Sequence, residues 1–272
     1  VLATVTRAFA ELPALIEISR NVIVVGDIHG SLFDLYRIIN DYGIPPISSY
    51  VFVGNLISRG SYSMETVIFV YLMTLLWPKE VFVLRGSEHF ESSCQLGTFS
   101  DEVNERYPGG DVYRAFIESF NFMSYGAIIG KSVLCIHGGI GPRMQSTAQI
   151  AAIEKPVVEF QQNEVIKSII WSEPTATTQG YQISPIGTGY VFGSQALALF
   201  LAESSLDLMV RSHQLISEGV VPTFGDTLVT VRSCSIPSDS NVGVLHISSY
   251  GQAIFSIYPP LQRYQRKTLG KD

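Results

Sequence analysis

Two hydrophobic rhythms divide this chain. Residues 22–26 form an unbroken β-branched run ending in glycine, the pattern of a buried strand. Residues 32–41 carry apolar side chains at 32, 35, 36, 38 and 39, a helical spacing with Ser31 near its cap. Residues 50–54 repeat the strand signal, residues 62–77 read as a long helix closed by Pro78, and residues 81–84 as a third strand before Arg85 and Gly86. This β-α-β-α-β order predicts parallel strands with helices packed outside. Residues 112–123 read as a further helix.

Beyond residue 125 the rhythm shortens. Residues 126–130 and 132–136 predict paired strands, and residues 207–210 another short one. Residues 220–224 and 227–231, split by Gly225 and Asp226, predict a hairpin. Residues 242–247 and 253–258 read as two antiparallel strands. An α/β front half and a β-rich back half predict a layered β-sandwich of mixed sheets flanked by helices. No repeat, low-complexity tract or linker interrupts the 272 residues, so residues 1–272 are expected to form one domain.

Composition narrows the function classes. The net charge of −6 lacks the basic footprint of a nucleic-acid binder. Charged residues are only 15% of the chain, against about 25% in ordinary soluble domains. With a mean hydropathy of +0.25, this points to a neutral surface or to coverage by partners. The longest apolar stretch, residues 67–77, is well short of the roughly 18 residues of a membrane span, so no membrane insertion is expected, and no signal peptide is visible. Cys94, Cys135 and Cys234 are odd in number and widely spaced, the usage of reduced core thiols, which predicts a cytoplasmic location.

Candidate chemistry collects in the turns after strands. The first three read Gly26-Asp27-Ile28-His29-Gly30, Gly54 to Gly60, and Arg85-Gly86-Ser87-Glu88-His89. Two later turns add His137-Gly138-Gly139 and Arg211-Ser212-His213-Gln214. Ligands of open α/β sheets gather beyond the carboxyl ends of strands, so five such turns are expected to converge on one site. Asp27 and His29 at i and i+2, with His137 and His213, form an imidazole–carboxylate set suited to zinc, iron or manganese. Singly, each of these residues reads equally well as a helix cap or a satisfied core group.

Together these turns resemble the metal-dependent Ser/Thr protein phosphatases of the PPP family. That family carries G-D-x-H-G, G-D-x-V-D-R-G, G-N-H-E, H-G-G and R-A-H-Q in this order. Here 28 residues separate Asp27 from Asn55, and 32 separate Asn55 from Ser87. Leu84-Arg85-Gly86, the FSDEVNERY stretch at 99–107, Trp171-Ser172-Glu173-Pro174 and Val191-Phe192-Gly193 also look like family pieces. The resemblance is clearest over residues 11–260 and implies the calcineurin-like metallophosphoesterase fold. It further implies two metal ions sharing a bridging Asp and a bridging hydroxide that attacks phosphorus, a general-acid His oriented by an Asp, and arginines gripping the phosphate.

The chain departs from that pattern where the chemistry lies. Asp27, His29, His137 and His213 match family metal ligands. The bridging Asp position holds Asn55, and the Asn ligand position holds Ser87. The general-acid position holds Glu88, and that of its orienting Asp holds Ser58. Arg59 matches one phosphate clamp, whereas the second clamp position falls on Ile186. Pro237 stands where the family has a Tyr over the site. His89 lies one residue beyond the acid position, about 3.8 Å along the chain and turned away. Loss of a positioned acid alone costs about 10²–10⁴-fold.

The expectation is therefore a phosphatase-fold protein with little or no hydrolytic activity, used as a binding or structural module. It would carry no cofactor or a single divalent metal (Mn, Fe or Zn), with a two-metal centre only if active. Its expected partners are proteins, met through short peptide motifs or in a larger assembly such as the cytoskeleton. Residues 253–258 offer one such groove by resemblance, although Ala253, Phe255 and Ile257 alternate like an ordinary core face. Two rivals are an active Ser/Thr phosphatase with unusual ligands and a phosphoesterase acting on small phosphodiesters. The R-S-H-Q and W-S-E-P turns disfavour the second, whose last motif is usually G-H-x-H.

Overall fold

The computed structural model describes residues 1–236 and 239–261. In chain order the elements are α1 (Leu2–Glu11), β1 (Leu15–Ile18), β2 (Val22–Val25), α2 (Leu32–Tyr42), β3 (Tyr50–Phe52), α3 (Ser63–Leu76) and β4 (Val81–Val83). Then come α4 (Glu91–Cys94), α5 (Phe99–Arg106), α6 (Asp111–Asn121), β5 (Gly126–Ile129), β6 (Val133–Ile136), α7 (Ala148–Ala151) and α8 (Glu164–Trp171). The chain continues through β7 (Glu173–Pro174), β8 (Tyr181–Ile183), β9 (Tyr190–Phe192), α9 (Ser194–Ser204), β10 (Leu208–Arg211), β11 (Val220–Thr223), β12 (Leu228–Val231), β13 (Val242–Ile247) and β14 (Ala253–Tyr258).

Two mixed sheets face each other. One runs β14-β13-β2-β3-β4 and the other β1-β5-β6-β10-β12-β11; β7, β9 and β8 make a small third sheet. The central strand runs are continuously apolar because both of their faces are covered. Val22, Val24, Val51, Val53, Val133, Val210, Val229 and Val231 pack between the sheets. On the outer face of the first sheet, Ile23, Val25, Phe52 and Val83 meet Leu35 and Ile38 of α2, Val67 and Val70 of α3, and Phe116 and Phe120 of α6. On the outer face of the second, Leu134, Ile136, Met209 and Leu228 meet Ile166 and Ile169 of α8 and Leu197 and Phe200 of α9.

The predicted β2-α2-β3-α3-β4 unit is present with parallel pairing, as are the antiparallel β5–β6, β11–β12 and β13–β14 pairs. Ser31 occupies the predicted N-cap of α2 but its hydroxyl makes no cap bond; it donates instead to Asp34 Oδ2 at 2.6 Å. The β14 alternation is not a core face. Phe255 is 51% exposed and Ile257 45%, because β14 is the outermost strand of its sheet and, among the described residues, α2 meets only its other face, at Ser256 and Tyr258. Among the described residues no helix is long and apolar enough to cross a membrane.

The two sheets join at the end where the strands deliver their turns. An isolated parallel bridge links Asp27 to Arg232, just beyond β2 and β12. Gly26 makes this approach possible: a Cβ there would lie 2.3 Å from the Val231 carbonyl oxygen. Backbone cannot swing aside as a side chain can. Gly26→Ala is expected to cost about 3 kcal/mol, read as a lower urea midpoint with an unchanged m value.

The candidate phosphatase-like site

The five predicted turns do converge. Asp27, His29, Asn55, Ser87 and His137 are each at most 2% exposed, and the His213 side chain is 10% exposed. Their backbones are held in unusual shapes. His29, Asn55, Ser58, Arg59 and His213 all have positive φ, between 43° and 71°. Such conformations cost of order 1–3 kcal/mol each and persist only where the surroundings impose them. Cross-links between turns impose them here. Ile28 N–H and His29 N–H donate to the Asn55 carbonyl, Gly60 N–H donates to the His29 carbonyl, and Ser212 N–H to the His137 carbonyl.

Asp27 is the anionic centre. Asn55 Nδ2 donates to its Oδ2 at 3.1 Å, and His29 Nε2 lies 3.1 Å from the same oxygen. His137 Nδ1 is 3.6 Å from Oδ1, and the His213 backbone N–H donates to Oδ1 at 3.4 Å. Burial opposes the charge, but the nearby His137 and His29, with Arg232, hold the carboxyl well below the usual carboxylate range. His137 donates Nδ1–H to the Val53 carbonyl at 2.8 Å, which turns Nε2 inward to within 3.3 Å of Ser87 Oγ. Burial pushes its pKa down to about 4. His213 Nδ1 lies 3.5 Å from the same Ser87 hydroxyl, and its Nε2 is 3.7 Å from Glu173 Oε1.

Asn55 decides what this pocket can hold. Its Oδ1 accepts the Glu88 backbone N–H at 2.9 Å. A backbone N–H can only donate, so the amide oxygen must face it. The amide NH₂ then points at Asp27 Oδ2 and, at 3.3 Å, at Ser87 Oγ. At the position where the resemblance places a carboxylate between two metal ions, the chain presents hydrogens. Asp27 is left as the one carboxylate to balance two dications at close range, in a buried setting where repulsion is costly. These residues do not fit the two-metal centre. Among the described residues, no group of three or more His, Cys, Asp or Glu is placed to hold a metal ion.

The two residues that stand where the resemblance places the acid and a phosphate clamp, Glu88 and Arg59, form an ion pair. Arg59 Nη2 lies 3.5 Å from Glu88 Oε1, with Arg59 half exposed. The guanidinium therefore faces a carboxylate of its own chain. Ser58 Oγ is buried without a hydrogen-bond partner and orients nothing. His89 is fully buried, accepts the Gly86 N–H at Nδ1 (3.1 Å) and packs on Phe120. It faces the core, as its one-residue offset predicts. Ile186 is 61% exposed, and Pro237 lies outside the described residues.

Three positioning groups were not singled out from the sequence. Ser212 Oγ accepts the Asp27 N–H at 2.8 Å and donates to the Val231 carbonyl at 2.7 Å, tying the first turn to the second sheet. Ser233 Oγ does the same for Gly26 N–H and the Gly243 carbonyl. Trp171 meets the His213 ring edge-on at 5.2 Å. The serine in Arg211-Ser212-His213-Gln214, where the family pattern has Ala, was the available signal.

Comparison with known proteins agrees with this fold. The sequence pattern of the calcineurin-like phosphoesterase family matches residues 20–217. The chain is 34% identical over 219 residues to the serine/threonine-protein phosphatase 6 catalytic subunit of Caenorhabditis elegans, covering 80% of this chain and 66% of that protein. It is 29% identical over 270 residues to serine/threonine-protein phosphatase PP1-delta of the same organism, covering 97% and 88%. A Saccharomyces cerevisiae protein serine/threonine phosphatase with similarity to human phosphatase PP5 shares the fold, with a TM-score of 0.89 at 22% identity over 97% of this chain and 89% of that one. Turns, sheet order and relatives together place the chain in the calcineurin-like phosphoesterase family, with a domain of the PPP Ser/Thr protein phosphatase type.

Proposed function

We propose that this protein has lost most or all of the hydrolytic activity of its family and serves as a binding or structural module. The observation that carries this reading is the Asn55 amide, locked by the Glu88 N–H so that it offers hydrogens where two cations would need a shared anionic oxygen. The Arg59–Glu88 pair supports it, since a phosphoryl group would have to displace a tethered carboxylate. Glu88 also replaces the imidazole that would protonate the departing alkoxide, and Ser58 supplies no charge to orient an acid.

Its partners are proposed to be proteins. Ile254 (67% exposed), Phe255 and Ile257 give β14 an apolar, open sheet edge suited to an extended peptide. Such an edge suits a larger assembly, the cytoskeleton included. The three cysteines are free and buried, which supports a reducing, cytoplasmic setting.

One observation favours the rival reading of an active phosphatase: His137 still turns the lone pair of Nε2 toward the pocket, with the His213 ring beside it. Turnover separates the two. With added manganese, purified protein is expected to hydrolyse a phosphopeptide or an aryl phosphate far below about 1 s⁻¹, the low end of ordinary enzyme rates. A rate at or above that value overturns the proposal.

A further inference from the structure

We infer that Asn55 is a built-in replacement for the metal pair, a neutral bridge that holds the turns after β2, β3 and β4 together without any ion. The inference deepens the proposed function and rests on it in one respect, that the pocket is not organised for metal-dependent hydrolysis. In a two-metal site the ions themselves tie the ligand-bearing turns together. Here one side chain does so through three contacts. Asn55 Nδ2 reaches Asp27 in the first turn and Ser87 in the third, and Oδ1 takes the Glu88 N–H of the third.

The surroundings are shaped to this amide. Asn55 sits at φ 43°, a left-handed conformation that Asn adopts more readily than most residues. Gly86 leaves room for it: a Cβ on Gly86 would lie 2.4 Å from Asn55 Oδ1. Ser87 Oγ accepts from Asn55 and turns its one hydrogen toward His137 Nε2, an acceptor because His137 Nδ1–H is given to the Val53 carbonyl; His213 Nδ1 lies beside it, 3.5 Å from the same oxygen. Asp27, Asn55, Ser87 and the two imidazoles thus form one chain of donors and acceptors. Asp27, Asn55, Ser87 and His137 are buried with a donor facing each acceptor, the condition under which a polar network stabilises rather than costs.

The bridge makes stability independent of metal, and a single substitution should reverse that. Asn55→Asp keeps the shape, the left-handed tolerance and the Glu88 N–H contact. It replaces the NH₂ facing Asp27 by a second carboxylate oxygen. Two facing carboxylates repel unless a cation lies between them. Asn55→Ala removes the bridge and supplies nothing in its place.

Thermal melting of the full chain in EDTA and in 1 mM MnCl₂ tests this. Wild type is expected to shift by less than about 1 °C between the two conditions, because it has no folded-state site to fill. Asn55→Asp in EDTA should melt roughly 5–10 °C lower than wild type and recover most of that loss in manganese. Asn55→Ala should melt lower by a similar amount and not respond to manganese. A wild-type Tm raised several degrees by manganese overturns the inference. So does an Asn55→Ala protein as stable as wild type. If Asn55→Asp does not fold even with manganese, the metal-carboxylate half is overturned, and the other two proteins still decide whether Asn55 is the bridge. Wild-type turnover is scored separately. An inactive protein stabilised by manganese would keep the proposed function and sink the bridge, and an active one indifferent to manganese would do the opposite.

Discussion

Above pH 9 the protein is expected to lose stability steeply. Cys94, Cys135 and Cys234 are all fully buried. Burial pushes each thiol up from its ordinary value near 9, Cys234 to about 11. In the unfolded chain the three ionise near pH 9 while the folded chain keeps their protons. The folded state then binds more protons, so stability falls as pH rises, at roughly 4 kcal/mol per pH unit when all three contribute. The contribution is fully present below pH 9 and is lost upward, through about pH 11 for Cys234 and beyond it for Cys94 and Cys135, which burial raises further. Tyr181, raised to about 12 by burial, extends the decline. Urea midpoints at pH 8 and pH 10, with reductant present, should differ by about 1–2 M. Cys135→Ala should flatten the slope by about a third. Equal midpoints at the two pH values would show that the thiols titrate alike in both states.

Replacing Arg85 by methionine should be among the most damaging single changes. Arg85 is completely buried, and burial depresses its pKa, yet its hydrogen bonds go to neutral groups. Nη1 donates to Tyr125 Oη at 3.1 Å and to the Val157 carbonyl. Nη2 donates to the His89 carbonyl at 3.2 Å and to Asn121 Oδ1 at 2.9 Å. The guanidinium carbon sits 3.6 Å from the centroid of the Phe90 ring. Four segments of the chain are joined here, directly behind the turn that carries Ser87 and Glu88. Methionine fills much of the volume but leaves four acceptors, two buried and two part-buried, without these donors, at about 1–3 kcal/mol for each buried one. The expected loss is about 4–6 kcal/mol, or a Tm lower by roughly 10–20 °C. Arg85→Lys keeps the charge but not the fork, and should recover only part of it. A methionine variant within about 1 kcal/mol of wild type would mean that the carbonyls find water.

Much of the site was legible beforehand because it is built from local punctuation. A strand run that stops at glycine and continues into Asp, His, Asn or Ser marks a polar turn at a strand end, and parallel topology carries such turns to one edge. Asp27, His29, Asn55, Ser87, His137 and His213 were identifiable for that reason, as were the substitutions at 55, 58, 87 and 88. Elements without a local signal were missed. β1 pairs Leu15 with Gly126 and is stabilised wholly from a distance. α9 distributes its apolar residues around the helix, so no periodic stripe reveals it. The β14 pattern misled in the other direction: alternation says which residues share a face, not whether anything covers that face.

Read alone, the amino-acid order determined the α/β sandwich, the set of polar turns and the residues absent from the chemistry, since all of these follow from side-chain type and short-range spacing. Folding in three dimensions decided which way the Asn55 amide points, that Glu88 pairs with Arg59, and that Arg85 lies sealed inside. Those outcomes depend mostly on donors and neighbours 28 to 72 residues away, and a hydrogen bond's direction exists only once both partners have been brought within about 3 Å.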